Sequence, residues 1–374
     1  MQPKDVVILG AGIIGCLVAH HLTRAGANVL VVDRKTPGCE ASGSNAGTLA
    51  VQNKEVRLVS FAQAAVDEWQ RLDEEFGNTL GYRRSGGIRV AVTDEQAKTL
   101  DRIAREQRAQ GIEVETLTGQ DIFDHAPYLS RSTTLVNYCP TDGMGDPLKA
   151  TRVIAEKIRG SGVTIEDYTT VTSISPAGSV WHVNTDRGSV TAEVVVVAFG
   201  AWLAPFLERM GIHVPISLRI NQLMVSERLE PFVPGVVTNL AETLTLKQVD
   251  PGTFVIGGGW QGTGDLDKHA PWPSHESFRG NALAAIDLIP VLREASIVRT
   301  WARFDTRTPD KLPLCGTAGG YSNLFVIGTG HAGFTFGPLV SKLAVSLILG
   351  DLKENELAAW KPERIAMPVA HHAS

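Results

Sequence analysis

The first 33 residues change hydrophobic pattern twice. An apolar, β-branched run at 6–9 enters a glycine turn, an amphipathic run follows as far as Gly26, and a second apolar run at 29–32 ends at Asp33. Short apolar runs of this kind are typical of parallel strands covered on both faces, and apolar residues at helical spacing predict a helix. The chain therefore opens with a predicted β-α-β unit.

The same patterns predict elements in the rest of the chain. Helices are predicted at 56–76, 95–110, 147–160 and 281–289, and a last helix begins in the glycine loop at 330–337 and ends at Gly350. Strands are predicted at 86–92, 163–165, 194–198 and 324–328. Asp146 before Pro147 is a typical helix start. The segments 243–248 and 253–261 alternate apolar and polar residues, which indicates an antiparallel sheet with one face turned to a cavity.

Composition and charge exclude several classes of protein. A chain of 374 residues predicts two domains or one large discontinuous domain. The formal net charge of −5, without a Lys/Arg cluster, argues against nucleic acid as a partner. The four cysteines lie far apart, which predicts neither a metal site nor a disulfide framework. No apolar run approaches the roughly 18 residues of a membrane span, and the chain opens directly into its first strand, so we expect a cytoplasmic protein.

The glycine turn points to a ligand. Gly10 permits a tight turn, Gly12 lets the backbone approach a pyrophosphate, and Gly15 lets the helix pack closely on the strand. The helix N-terminus supplies N–H donors for phosphate, and Asp33, 18 residues after Gly15, is placed to accept from ribose hydroxyls. The alternative is an ordinary β-α-β unit. The combined pattern favours a dinucleotide with a free 2′-hydroxyl.

The glycine fingerprint, the acidic strand end followed by Arg34, and the run of small residues at 41–47 together resemble the D-amino-acid oxidase superfamily of FAD flavoproteins. Within it, the chain is similar to glycine oxidase, D-amino-acid dehydrogenase and the β subunits of sarcosine, proline and opine oxidising enzymes. The resemblance runs from residue 5 to about residue 350. It implies a fold of the mixed α/β and α+β class, with a discontinuous Rossmann-like FAD-binding domain (1–85, 140–215 and 301–374). A substrate-binding domain built on an antiparallel sheet would comprise 86–139 and 216–300.

The resemblance also implies which residues hold the cofactor, which would be non-covalent FAD because no cysteine stands at the attachment position, here Arg303. The predicted cofactor-binding residues are Gly10, Ala11, Gly12, Ile13, Ile14, Gly15, Asp33, Arg34, Ser42, Ser44, Asn45, Ala46, Gly47, Thr48, Val171, Gly200, Trp202, Gly330, His331, Ala332, Gly333, Phe334 and Thr335.

Removal of a hydride from a carbon next to an amine requires positioning groups and exclusion of water more than an acid–base pair. His331, in the glycine loop, is a candidate catalytic residue, either as a contact to substrate or flavin or as an acceptor that keeps the amine deprotonated. Trp260 is a second candidate, as a wall of the cavity above the flavin. The alternatives are a loop-capping histidine and an ordinary core tryptophan. Gln248 and Thr245 are predicted to bind substrate. Lys247, on the other strand face from Gln248, could also reach substrate, but it is interpreted as a solvated lysine.

The segment 301–307 departs from glycine oxidase. The carboxylate-binding arginine of that enzyme corresponds here to Asp305, which cannot hold a carboxylate. Arg303 and Arg307 flank it, and either has the fork geometry that carboxylate recognition favours. The alternatives are that Asp305 pairs with a cationic group of the substrate, or that it forms an ion pair with Arg303 or Arg307. All three are predicted substrate-binding residues, and the departure favours larger or secondary amino acids.

These observations predict an FAD-dependent dehydrogenase that oxidises the C–N bond of an amino acid or secondary amine by hydride transfer to flavin N5. The substrate candidates are opines, proline or hydroxyproline, and simple D-amino acids or glycine. Resemblance to β subunits implies a complex with α and small ferredoxin-like subunits. The strand at 254–260 lacks the lysine that sarcosine oxidase carries over the flavin, which favours a dehydrogenase over an oxidase. The alternatives are a stand-alone glycine or D-amino-acid oxidase, an NAD-dependent reductase and a non-catalytic flavin-binding subunit.

Overall fold

The computed structural model describes residues 4–240 and 244–364. Its strands are β1 (Lys4–Leu9), β2 (Val29–Val32), β3 (Thr48–Leu49), β4 (Gly87–Ala91), β5 (Glu115–Thr118), β6 (Leu135–Cys139), β7 (Gly143–Met144), β8 (Thr164–Glu166), β9 (Val171–Ala177), β10 (Val180–Thr185), β11 (Gly188–Val197), β12 (Ser217–Arg228), β13 (Val236–Asn239), β14 (Thr245–Val249), β15 (Thr253–Gln261), β16 (Thr263–Asp265), β17 (Ala270–Trp272), β18 (Ile297–Arg307), β19 (Leu314–Ala318) and β20 (Tyr321–Gly328).

The α-helices are α1 (Ile13–Arg24), α2 (Ala41–Ser44), α3 (Val59–Glu75), α4 (Asp94–Ala109), α5 (Gln120–His125), α6 (Pro147–Gly160), α7 (Leu203–Glu208), α8 (His275–Leu288) and α9 (Gly333–Leu349). Short 3-10 helices lie at Val56–Leu58, Gly200–Trp202, Pro290–Glu294 and Glu354–Trp360.

The described chain forms two compact units. Unit 1 comprises residues 4–43, 151–219 and 305–364, and unit 2 comprises 44–150, 220–240 and 244–304. Residues 44–85 and 140–150, which the sequence analysis assigns to the FAD-binding domain, lie in unit 2. A physical reason is the short antiparallel pair β3–β7, together with the buried carboxylate of Asp142, which accepts the backbone N–H of Val51 at 2.6 Å.

Unit 1 is built on a mixed sheet in the order β19-β20-β11-β1-β2-β8, with β10 and β9 added at β11. The pairs β20–β11, β11–β1, β1–β2 and β2–β8 are parallel, as the continuous apolar runs predict. The residues Val7, Leu9, Val195 and Val197 are fully buried in its core. The opening β-α-β unit is therefore the centre of this sheet.

A second sheet has the order β18-β12-β15-β14-β13-β4-β6-β5, and its residues belong to unit 2 except for 217–219 of β12 and 305–307 of β18. The pairs β12–β15, β15–β14 and β14–β13 are antiparallel, as the alternating segments predict. The core residues Leu246, Phe254 and Ile256 cluster with Ala284 and Leu288 of α8. The predicted fold class is confirmed. Helix α8 begins at His275, six residues before the predicted start, because the Ser274 side chain caps it by accepting the N–H of Ser277.

Candidate functional site

The glycine turn of unit 1 has the close backbone approach that the sequence predicts. Gly10 has φ of +110°, and a Cβ there would lie 2.6 Å from the carbonyl oxygen of Ala198. A Cβ at Gly15 would collide with the carbonyl oxygen of Gly10, so α1 packs directly on the turn. Any larger side chain at either position would displace backbone, which explains both glycines.

The N-terminus of α1 presents backbone donors. Its N-cap residue, Gly12, has no side chain, and the Ile13 N–H donates instead to the Ser42 hydroxyl at 2.9 Å. The first turn carries no acidic residue that would compete for the remaining donors or oppose an anion. These features suit a phosphate group.

Asp33 closes the other side of the turn. Its carboxylate accepts the Ala11 N–H at 2.7 Å and the Lys35 N–H at 2.8 Å. Burial raises the pKa of Asp33, and these two hydrogen bonds oppose the rise. The next residue, Arg34, places its guanidinium 3.9 Å from the ring centre of Trp202 and pairs with Glu40 at 3.4 Å.

The C-terminal glycine loop lies in the same unit. A Cβ at Gly330 would collide with the Thr308 hydroxyl, and Ala332, the N-cap of α9, has a left-handed φ of +51°. Helix α9 packs along α1, where the Ser341 hydroxyl reaches the Ile14 carbonyl at 3.4 Å. The two predicted nucleotide-binding segments, 10–15 and 330–335, therefore belong to one body.

Other predicted cofactor residues of unit 1 lie around the same sheet. Val171 is buried at the start of β9, next to Thr169, whose N–H donates to the Asp33 carbonyl at 2.9 Å. Gly200 has φ of +54° in the 3-10 turn after β11. Phe334 and Thr335 are buried in the first turn of α9. In contrast, Ser44, Asn45, Ala46, Gly47 and Thr48 belong to unit 2.

In unit 1, Arg307 lies between two of the predicted site residues. Its guanidinium is 3.5 Å from the Asp305 carboxylate and contacts Nδ1 of His331. A guanidinium can only donate, so a hydrogen bond in this contact requires Nδ1 of His331 as the acceptor. Desolvation lowers the pKa of Arg307, while Asp305 opposes this and Arg219 adds to it. The ion-pair alternative for Asp305 is thus the observed arrangement.

Strand β14 divides the predicted substrate residues of unit 2 between two faces. Leu246 and Gln248 share the face covered by α8, whereas Thr245 and Lys247 project from the other face. The segment that follows α2 covers that second face: the Thr48 and Thr245 hydroxyls are 2.9 Å apart.

On the face covered by α8, the side chains are occupied by packing and backbone contacts. The Trp260 ring lies against Gly280 of α8, where an added Cβ would collide with the indole, although the residue keeps 39% of its surface exposed. The Gln248 amide accepts the N–H groups of Phe232 and Val233 and donates to the Glu230 carbonyl at 2.9 Å. The structure thus gives both residues a packing role, and their roles in catalysis and substrate binding stay predictions.

The prediction that Lys247 is a solvated lysine is wrong. It is not solvated: only 2% of its surface is exposed, and Nζ has no hydrogen-bond partner among the described residues. The alternating pattern predicts the strand but not the burial of Lys247, because the segment at 47–52 that covers this strand face is remote in sequence. Lys247 also pairs across the sheet with Val255, so the strand without a lysine has one directly beside it.

The remaining predicted site residues of unit 2 are Arg303 and those of the loop at 44–48. Arg303 donates to the Ala302 carbonyl at 3.0 Å, and its buried Nε has no partner among the residues that the structure describes. Trp301 donates its indole N–H to the Ser44 carbonyl at 2.8 Å. The Asn45 side chain accepts the Gly47 N–H at 2.7 Å, which stabilises the turn there.

The residues of unit 1 fit a dinucleotide, because a side chain at Gly10 or Gly15 would fill the turn and because the helix N-terminus and Asp33 offer the required donors and acceptor. The family model for FAD dependent oxidoreductases, DAO, matches residues 5–347. The chain belongs to this family. It is an FAD-dependent oxidoreductase, and the predictions of the family, of the enzyme class and of FAD as cofactor are confirmed.

Several relatives resemble this DAO-family chain. It is 27% identical over 352 residues to mitochondrial dimethylglycine dehydrogenase of Rattus norvegicus, covering 87% of this chain but 41% of that protein. It is 23% identical over 375 residues to an opine oxidase subunit of Rhizobium meliloti, covering 97% of this chain and 98% of that one. Thus the chain spans less than half of the first relative and nearly all of the second.

Solved structures share the fold of the DAO-family chain. Glycine oxidase from Geobacillus kaustophilus superposes with a TM-score of 0.91 at 24% identity, over 98% of this chain and 100% of that chain. L-proline dehydrogenase from P. horikoshii gives a TM-score of 0.88 at 23% identity, over 97% and 98%. At these identities the likeness shows the fold alone.

The structure of this flavoprotein also bears on membrane spans and metal sites. None of the helices in the described ranges combines the length and apolar character of a membrane crossing. Across 4–240 and 244–364, His, Cys, Asp and Glu side chains do not gather in groups of three or more that would hold a metal ion.

Proposed function

We propose that the chain is a dehydrogenase that oxidises the C–N bond of an amino acid or secondary amine. The candidate substrates are opines, then proline or hydroxyproline, then simple D-amino acids or glycine. The observation that carries this proposal is the match to the opine oxidase subunit, which extends over 97% of this chain and 98% of the relative. The match to dimethylglycine dehydrogenase adds a second relative, whose name describes an amino acid with a tertiary amine as the substrate.

The cofactor and the chain divide the chemistry. FAD, held without a covalent bond, supplies the hydride acceptor at flavin N5 when it is bound. The glycine turn, Asp33 and the N-terminus of α1 hold its pyrophosphate and ribose. The residues of the chain then need to orient an amine whose lone pair is available, and to keep water out.

Arg307 is the proposed carboxylate-binding residue. Asp305 and His331 each contact the guanidinium, which carries five N–H donors in a rigid fork, so donors remain for a carboxylate. The side chain is 19% exposed, so an ion pair there is screened less than one at the surface. The contact with the guanidinium supports a role for His331 in orienting Arg307. Its role as an acceptor for the substrate amine stays a prediction.

The opine oxidase relative is named as a subunit, which supports a complex in which α and small ferredoxin-like subunits receive the electrons. The absence of lysine from β15 is weaker support for slow reaction with oxygen, because Lys247 stands on the neighbouring strand. The proposal of a dehydrogenase therefore depends on the opine oxidase relative. The rate at which oxygen reoxidises the reduced flavin tests it.

The experiment is an anaerobic screen of the purified chain against opines, proline, hydroxyproline, D-amino acids and glycine, with bleaching of the visible flavin band as the readout. We expect bleaching with a secondary amino acid, slow reoxidation in air and rapid reoxidation with an added electron acceptor. Failure of the whole panel, repeated with partner subunits present, would show a non-catalytic flavin-binding subunit. Rapid peroxide production by the isolated chain would show a stand-alone oxidase.

A further inference from the structure

The guanidinium of Arg364 joins the C-terminal segment of unit 1 to the turn at 308–312. Its Nε donates to Oδ2 of Asp310 at 2.8 Å, and one of its terminal nitrogens donates to Oδ1 at 2.9 Å and to the Leu312 carbonyl at 3.1 Å. The other terminal nitrogen donates to the Lys361 carbonyl at 3.0 Å. The Arg364 side chain is only 9% exposed. A fork that binds both oxygens of one carboxylate fixes the geometry of the pair.

The pair of Arg364 with Asp310 holds the backbone of Leu312 at two points. The Leu312 N–H donates to Oδ1 of Asp310 at 3.1 Å, while its carbonyl accepts from Arg364. Burial would raise the pKa of Asp310, but the hydrogen bonds from Arg364 and from the Leu312 N–H outweigh burial and lower it. Asp310 is therefore ionised at neutral pH, so both its hydrogen bonds to the guanidinium are charge-assisted.

The Leu312 carbonyl lies against Gly330, which belongs to the same unit. A Cβ at Gly330 would lie 2.6 Å from this carbonyl oxygen and would collide with the Thr308 hydroxyl. The Thr308 hydroxyl donates to the same carbonyl at 2.9 Å, and the Thr308 N–H donates to the Gly330 carbonyl at 3.2 Å. Leu312 and Thr308 thus set the position of the Gly330 backbone.

Gly330 begins the predicted cofactor-binding loop at 330–335. Within this loop, Ala332 has a left-handed φ of +51° at the N-cap of α9. A residue with a side chain rarely adopts this conformation, which persists only where the surrounding structure holds it. The residue before the loop is held from the same side, because the Thr329 carbonyl accepts the Thr306 hydroxyl at 2.8 Å. The shape of the loop therefore depends on contacts made next to the 308–312 turn.

We propose that Arg364 is a positioning residue for FAD: through the Leu312 carbonyl and Thr308 it holds the Gly330 end of the cofactor-binding loop in the conformation that binds FAD. Two observations support this: the guanidinium and the Thr308 hydroxyl share one carbonyl acceptor, and that carbonyl lies against Gly330. The inference rests on FAD as the cofactor and on the predicted loop at 330–335. It does not depend on the substrate class.

The test is titration of the apoprotein with FAD, with flavin fluorescence as the measure of affinity and visible circular dichroism as the measure of the environment of bound flavin. All measurements are made at a temperature at which each apoprotein is folded. We expect Arg364→Met to lower the affinity by about tenfold or more, because the fork and its charge-assisted hydrogen bonds are lost. The visible dichroism of bound FAD changes as well, since the loop that contacts it shifts.

Two further variants separate the fork from general loosening of the segment. Lys361→Met is the matched control: it breaks the pair of Lys361 with Glu354 at 3.1 Å on the same segment and leaves the fork in place. It keeps the affinity and the visible dichroism of the wild type, even if its apoprotein is less stable. Thr308→Val removes the hydroxyl that shares the Leu312 carbonyl. Combined with Arg364→Met, it lowers the affinity by less than the product of the two single effects.

Three results overturn the inference: affinity and dichroism in Arg364→Met equal to those of the wild type, an equal loss in Lys361→Met, or losses that simply multiply in the double variant. If Arg364→Met does not fold, Arg364→Lys decides. It keeps the charge without the fork, so an affinity equal to that of the wild type contradicts the inference and a lowered affinity supports it.

The outcome is separate from that of the proposed function, because FAD binding is measured without substrate. Bleaching by amines together with an unchanged affinity in Arg364→Met contradicts this inference alone. A lowered affinity in Arg364→Met together with failure of the whole amine panel contradicts the proposed function alone.

Discussion

The carboxylate of Asp33 accepts the backbone N–H of Ala11 at 2.7 Å, which links the end of the second strand to the centre of the glycine turn. The acid thus has a structural task before any ligand binds. It holds the turn in shape while its second oxygen accepts the Lys35 N–H. The same carboxylate is predicted to bind the ribose hydroxyls of FAD.

We expect Asp33→Asn to weaken FAD binding by about tenfold or more, because the amide replaces a charged acceptor of the turn with a weaker one. Fluorescence titration of the apoprotein with FAD measures the effect. Asp5→Asn is the matched control, since Asp5 accepts the Asn28 N–H at 2.7 Å at the exposed end of the same strand pair. Equal affinity in both variants would contradict the role of Asp33.

Gly15→Ala should destabilise the protein by about 3 kcal/mol, because the added methyl collides with backbone that cannot move away. Gly160→Ala is the control: it also lies in a helix, but nothing lies within 4 Å of its Cβ position, so the change is neutral or stabilises by about 0.5 kcal/mol. Urea unfolding of both variants tests the difference. A tolerated alanine at residue 15 would show that α1 does not pack on the turn as described.

Gln248→Leu distinguishes two roles for this residue. Its amide is hydrogen-bonded to backbone at 229–233 and to the Gly252 carbonyl at 3.0 Å, so we expect a loss of about 2–4 kcal/mol in the free energy of unfolding. KM should change little once the protein is folded. The opposite pattern, unchanged stability with raised KM, would confirm the substrate-binding prediction and remove the structural one.

Arg307→Met and Arg303→Met together identify the carboxylate-binding residue. We expect Arg307→Met to raise KM about tenfold or more, with FAD affinity retained, because the fork that holds a carboxylate is lost. Arg303→Met should have a smaller effect on KM. Steady-state kinetics with an amino-acid substrate and with an amine of the same size that lacks the carboxylate make the comparison. A larger effect at residue 303 would reverse the assignment.

Stability in acid should depend on Glu354. Its carboxylate accepts the Thr317 hydroxyl at 2.6 Å and pairs with Lys361 at 3.1 Å, and the Thr317 hydrogen bond is the main cause of its lowered pKa. A folded pKa below the unfolded value contributes stability that is present above about pH 4.5 and is lost as pH falls through the folded value. Glu354→Gln should therefore flatten the acid limb of the stability curve. Urea titrations at several acid pH values, with the exposed Glu156→Gln as control, measure this.

The elements that the sequence predicts well are those with strong local signals. The helix at Pro147–Gly160 follows an aspartate that caps it, and the strand at Val29–Val32 is an uninterrupted apolar run. Groupings that depend on remote contacts have no such local signal. The resemblance assigns residues 44–85 to the FAD-binding domain, whereas the pairing of β3 with β7 and the buried Asp142 group them with unit 2, and the domain boundaries themselves stay a prediction.

The sequence by itself determined the cofactor of this protein, because a glycine turn, a helix start and an acidic strand end act through backbone geometry that sequence spacing encodes. Only the tertiary structure decided which side chains are free to act. In the folded chain, Gln248 is hydrogen-bonded to backbone and Arg307 lies between Asp305 and His331. Lys247 is buried with no hydrogen-bond partner among the described residues. The physical reason is that burial and pairing depend on which distant segment covers a strand face, and local periodicity carries no information about that segment.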